Sequence, residues 1–154
     1  MTPIIICTRL QSERLPGKVF KKLAGVPALA HILRRVEGSG LRVILAVPYG
    51  QADEYARFLD THGLNGKAGI YEGDPDSPLH RTAAYLALQE PRPKYYVRIT
   101  HDDVLIDQRT MLDLLASVEA GNHGYGTTPG IVEGAGVEVI ATENLLQAAK
   151  KHSA

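Results

Sequence analysis

Apolar positions fall into two textures along the chain. Residues 3–7 (PIIIC), 41–47 (LRVILAV) and 94–99 (KYYVRI) are short, nearly continuous apolar runs. Such runs suit strands covered on both faces. Between them the spacing changes. Leu29, Ile32, Leu33 and Val36 fall at i, i+3, i+4, i+7, as do Ala52, Tyr55, Ala56 and Leu59, and Met111, Leu114, Leu115 and Val118. Each set puts one apolar stripe on a helix. Ser77-Pro78 reads as an N-cap followed by proline at the first helical position, and Asp107 as the cap of the helix carrying Met111. Residues 67–72 read as a shorter strand, and 136–141 (GVEVIA) alternate as a late one. Strand and helix alternate throughout, which predicts an α/β fold: a mostly parallel sheet with helices on both sides. Residues 121–136 hold six glycines and read as a functional loop, not a domain break.

Length adds one constraint: 154 residues make a single domain, 1–154. Charge adds another. Seventeen basic residues balance seventeen acidic ones, which argues against a nucleic-acid partner. Any anion site is therefore local. Between residues 9 and 22, Arg9, Arg14, Lys18, Lys21 and Lys22 meet only Glu13. The single cysteine, Cys7, lies in a predicted strand and reads as a small buried hydrophobe in a reducing, cytoplasmic compartment. No basic region precedes the first apolar run, as a signal peptide would require. No apolar stretch approaches the roughly 20 residues of a membrane span, so no membrane partner is expected.

In sheets of this type, ligands bind outside the carboxyl ends of the strands. Two loops then matter most. The first, Thr8 to Lys18 (TRLQSERLPGK), follows a buried-looking strand. Its arginines offer forked donors, Lys18 a point charge, and Gly17 close backbone approach. It is neither a P-loop nor a dinucleotide fingerprint, because the required glycine patterns are absent. A solvated cationic loop and a phosphate-binding loop both remain open on the residues alone. The second is Thr100-His101-Asp102-Asp103, where a carboxylate could hold Mg²⁺ beside a triphosphate or simply cap the next turn. Adjacent aspartates in an extended chain point apart, so one of them is the ligand candidate. His101-Asp102 with His80 resembles part of an HD-type metal site, but such domains are helical. Arg81, at the start of a predicted helix, either reaches a nucleotide or is solvated.

Together these stretches resemble the cytidylyltransferases that activate acidic sugars: the 3-deoxy-manno-octulosonate, acylneuraminate and spore-coat polysaccharide types. The resemblance is carried by Arg9-x2-Ser12-x-Arg14-Leu15-Pro16-Gly17-Lys18 and by Leu23-x-Gly25-x-Pro27. Tyr71-Glu72-Gly73 with Leu79-His80-Arg81, then Val97 to Asp107, then Gly134 to Val139 continue it in order. It implies a nucleotide-diphosphosugar transferase fold, a three-layer α/β/α sandwich. It implies that Arg9, Arg14, Lys18 and Arg81 bind the nucleotide, with Ser12 shaping the loop. Arg14 and Lys18 would do the catalytic work on the phosphates and Asp102 would hold Mg²⁺. The implied substrates are CTP and an acidic sugar, and the implied assembly is a homodimer. The chain departs from the family pattern at Ser77, His80 and Val104. It also ends within a predicted helix, without the C-terminal part that the resemblance implies. A nucleotide-binding relative without transferase activity, a partner-dependent module, or an enzyme using another NTP or a sugar phosphate are the alternatives.

Overall fold

The computed structural model describes residues 1–11, 15–128 and 132–152. Strand β1 (Pro3–Cys7) lies inside the main sheet, paired in parallel with β4 (Arg42–Pro48) on one side and β6 (Tyr95–Thr100) on the other. Strand β5 (Gly69–Gly73) extends the sheet in parallel beyond β4. On the far side of β6, β8 (Glu138–Ala141) runs antiparallel, and β7 (Tyr125–Thr127) closes that edge. The order is β5-β4-β1-β6-β8-β7.

Among the described residues, five α-helices cover the two faces. Helices α1 (Ala28–Val36), α2 (Ala52–Thr61) and α4 (Gln108–Gly121) pack on one, and α3 (Pro78–Ala87) and α5 (Thr142–Lys151) on the other. The sandwich is three-layered, as the resemblance implied. It also explains the unbroken apolar run of β1. Ile4 and Ile6 pack with the α1, α2 and α4 layer, and Ile5 and Cys7 with the α3 and α5 layer. All three isoleucines are fully buried. Truncating any one would cost about 2–5 kcal/mol.

The sequence-read caps form. Ser77 Oγ accepts from the backbone N–H of His80 at 3.2 Å, and Asp107 Oδ2 from that of Thr110 at 2.8 Å. Ser77→Ala is expected to cost about 1 kcal/mol. In a chain of this size that lowers the melting temperature by about 2–4 °C, measurable by thermal unfolding.

Three features differ from the sequence reading. The glycine-rich segment is not all loop: it contains the end of α4 and the edge strand β7. The late strand β8 is inserted, reversed, between β6 and β7. Residues Lys22–Leu23 (β2) and Val26–Pro27 (β3) form a separate small hairpin. Its two-residue turn, Ala24 at φ 49° and Gly25 at φ 81°, has the left-handed pair that tight hairpins require.

Candidate functional site

The chain leaves β1 toward β4 and β5, then returns to place β6 on the opposite side of β1. The order reverses between β1 and β6, which opens a crevice at their carboxyl ends. A cavity of about 430 Å³ lies there, lined by Thr8, Arg9, Arg81, Arg98, Thr100 and Asp102 among others.

The loop after β1 is mounted on the first turn of α2. The Gln51 side chain is buried; its Oε1 accepts from the Leu10 N–H at 3.0 Å, and its Nε2 donates to Gln11. Thr8 and Tyr55 share a hydroxyl–hydroxyl bond of 2.8 Å, and burial pushes the Tyr55 phenol up to about 12. The loop closes where the Gly17 N–H donates to the Leu10 carbonyl at 2.9 Å. Gly17 sits at φ 67°, a conformation glycine adopts without strain. A short 3-10 turn, Lys18–Phe20, follows, and the fully buried Val19 fixes its orientation. Lys18 consequently reaches across to the second loop. Its Nζ lies 2.8 Å and 2.9 Å from the two carboxylate oxygens of Asp102.

The adjacent aspartates point apart. Asp103 turns back to the end of β6: its Oδ2 accepts from both the N–H and the hydroxyl of Thr100, each at 2.8 Å. Asp102 faces the crevice, with its side chain 57% exposed. Beside it, His101 is largely buried, and burial lowers its pKa. Its Nδ1 lies 3.4 Å from the Cys7 carbonyl. The HD-type grouping does not form, because His80 Nε2 lies 3.2 Å from the Ala149 carbonyl on α5. Among the described residues no cluster of three or more metal-ligating side chains occurs.

Arg81 enters from the first turn of α3 and is 1% exposed. Its Nη1 donates to the Asp74 carbonyl at 2.6 Å, while its buried Nε has no hydrogen-bond partner among the described residues. Burial pushes its pKa down, with the Asp74 charge acting against that. Gly73 makes room for it. A Cβ there would stand 2.9 Å from Arg81 Cγ and 3.4 Å from its Cα. Asp74 shapes the approach by accepting from the N–H groups of Asp76 and Ser77.

The sequence profile described as "Cytidylyltransferase" matches residues 3–154. The chain belongs to the cytidylyltransferase family. Relatives at about 30% identity are named 3-deoxy-manno-octulosonate cytidylyltransferase. The protein from Anaeromyxobacter sp. (strain Fw109-5) is 30% identical over 118 residues, 77% of this chain and 47% of the relative. That from Rhodopseudomonas palustris (strain BisA53) is 33% identical over 90 residues, 58% of this chain and 35% of the relative. The chain thus spans about half the length, or less, of these curated relatives. Among solved structures, a cytidylyltransferase from Leptospira borgpetersenii serovar Hardjo-bovis shares the fold at TM-score 0.80 and 22% identity, over 97% of this chain and 63% of that one. A CMP:2-keto-3-deoxy-manno-octonic acid synthetase complexed with CTP matches at TM-score 0.72 and 16% identity, over 97% of this chain and 77% of that one.

In this cytidylyltransferase-family chain, Arg9, Arg81 and Asp102 line one cavity, and Lys18 touches Asp102. Ser12 and Arg14, the other two residues singled out in the sequence, lie outside the described residues. Two of the three departures from the family pattern have local work: Ser77 caps α3 and His80 meets Ala149. Val104 packs against the core. Sequence reasoning missed Gln51, whose signal was only a polar residue before a helix, and Arg98, whose cross-strand partner Glu138 is 40 positions away.

Proposed function

We propose that the chain carries the nucleotide site of a Mg²⁺-dependent cytidylyltransferase that transfers CMP from CTP to an acidic sugar. One observation carries this reading beyond family membership: the loop after β1, the turn after β6 and the first turn of α3 bring Arg9, Lys18, Asp102 and Arg81 to one crevice at the switch point. Cations there offset triphosphate charge where water is partly excluded. The acceptor hydroxyl oxygen bonds to the α-phosphorus, the bond to the bridging β-phosphate oxygen breaks, and pyrophosphate leaves. The hydroxyl proton passes to solvent. Lys18 and Arg9 neutralise the triphosphate and the departing pyrophosphate, Arg81 fixes the nucleotide from the α3 side, and Arg14 adds charge from the loop. Alignment and charge neutralisation supply most of the acceleration in such transfers.

The residues present fit a magnesium ion. Mg²⁺ keeps several waters and takes one or two carboxylates plus substrate phosphates, so a single exposed aspartate beside a phosphate cradle suffices. Asp102 would hold it, and the ion would supply charge neutralisation to the phosphate oxygens. No described helix is long and apolar enough to cross a membrane. The buried free thiol of Cys7 suits a reducing compartment, and we place the reaction in the cytoplasm.

Calorimetric titration with CTP, ATP, GTP and UTP, with and without Mg²⁺, tests the nucleotide half. CTP is expected to bind selectively and more tightly with the metal. Pyrophosphate release with 3-deoxy-manno-octulosonate then tests transfer. Failure to bind any nucleotide overturns the reading; binding without release leaves a nucleotide-binding relative.

A further inference from the structure

Arg98 projects from β6 two residues before the Thr100 turn, on the sheet face that α3 and α5 cover. In register opposite it stands Glu138 of β8. Arg98 Nη1 pairs with Glu138 Oε2, and the Tyr125 hydroxyl on β7 donates to Glu138 Oε1 at 2.7 Å. Both Glu138 oxygens are therefore held by protein donors. The Arg98 side chain remains 37% exposed. Burial alone would push the guanidinium's pKa down, but the Glu138 hydrogen bond and charge outweigh it and raise it.

This side chain borders three hollows. One is the cavity with Arg9, Arg81 and Asp102. A second, about 280 Å³, is walled mainly by apolar side chains of α3, α5 and the sheet, among them Leu79, Tyr96 and Leu145. The third, about 290 Å³, is the polar one, lined by Arg98, Thr100, Asp103, Thr127, Gly136 and Glu138. Its volume lies just under the usual range for small-molecule sites, which suits one sugar ring better than a nucleotide. An acidic acceptor beside a triphosphate meets like-charge repulsion, and a fixed cation between the two sites offsets it. Glu138, pinned by Tyr125, holds the plane of the fork.

Resting on the transfer reading above, we propose that the polar hollow beside Thr100 and Thr127 is the acceptor subsite and that Arg98 determines its specificity. The acceptor's carboxylate docks on the guanidinium edge that Glu138 leaves open. A planar fork selects a carboxylate over a neutral group by two parallel charged hydrogen bonds.

The test measures pyrophosphate release by the full chain with CTP, Mg²⁺ and 3-deoxy-manno-octulosonate, an acylneuraminate, or the carboxamide of either sugar. Loss of a charge-assisted contact predicts an acceptor KM raised about 10- to 100-fold in Arg98→Gln. Because Arg98 also borders the nucleotide cavity, CTP affinity by calorimetry is expected to fall too, but by a clearly smaller factor than the acceptor KM rises. Preference for the acid over the carboxamide should collapse in Arg98→Gln, and Arg98→Lys should fall between. An unchanged acceptor KM overturns the proposal. So does an equal loss of acceptor and CTP affinity together with a lower melting temperature, which marks the ion pair as a cross-strand staple. If the unaltered chain binds CTP but releases no pyrophosphate with either sugar, the transfer reading falls with it.

Discussion

Lys18→Ala is expected to slow pyrophosphate release by about 10²–10³-fold, the usual cost of removing one preorganised donor from a developing charge. Its effect on folding should be small. The Lys18 and Asp102 side chains are 31% and 57% exposed, and exposed ion pairs contribute about 0–1 kcal/mol. The turn that carries Lys18 is fixed by buried Val19, which the substitution leaves in place. Steady-state rates and thermal unfolding on the same preparation separate the two effects. A rate within threefold of the unaltered chain would remove Lys18 from the reaction.

Asp102→Asn should act through the metal. The carboxamide keeps the size of the side chain but loses the charge that a hard cation requires. The Mg²⁺ concentration giving half-maximal rate is expected to rise by an order of magnitude or more, with nucleotide affinity in metal-free buffer unchanged or tighter, because the Asp102 charge opposes the phosphates. Asp103→Asn is the control. Asp103 is occupied by Thr100, so that change should lower stability, not metal dependence. If the Asp103 change shifts the metal requirement and the Asp102 change does not, the assignment of the two carboxylates is reversed.

Much of the fold could be read from the chain because local chemistry and tertiary burial agree. PIIIC is continuous because helices cover both faces of β1. Ser77-Pro78 and Asp107 begin helices by side-chain bonds that their own neighbours complete. What escaped reading depends on distant partners. Tyr125-Gly126-Thr127 is short, polar and set among glycines, and becomes a strand only because β8 lies beside it. GVEVIA reads as a strand, but its direction depends on where α4 leaves the chain. Alanine in place of the usual asparagine hid the Ala24-Gly25 turn.

The site follows the same division. Arg9, Lys18 and Asp102 follow strands whose carboxyl ends are predictable, so their positions could be anticipated. Which aspartate faces the crevice came only from the family resemblance, which pointed to Asp102; the residues alone left it open, because the answer lies in the bonds between Thr100 and Asp103. Gln51 and Arg98 were invisible for a related reason. Each acts through a contact set by the sheet, not by spacing along the chain.

The ion pair between Lys18 and Asp102 has a thermodynamic consequence on the proposed reading. In the resting crevice each charge answers the other. CTP arriving alone draws off Lys18 but sets its phosphates against Asp102; Mg²⁺ arriving alone draws off Asp102 but faces Lys18. Arriving together, they exchange one pair for two. Nucleotide and metal should therefore bind with positive linkage, each tightening the other by the same factor.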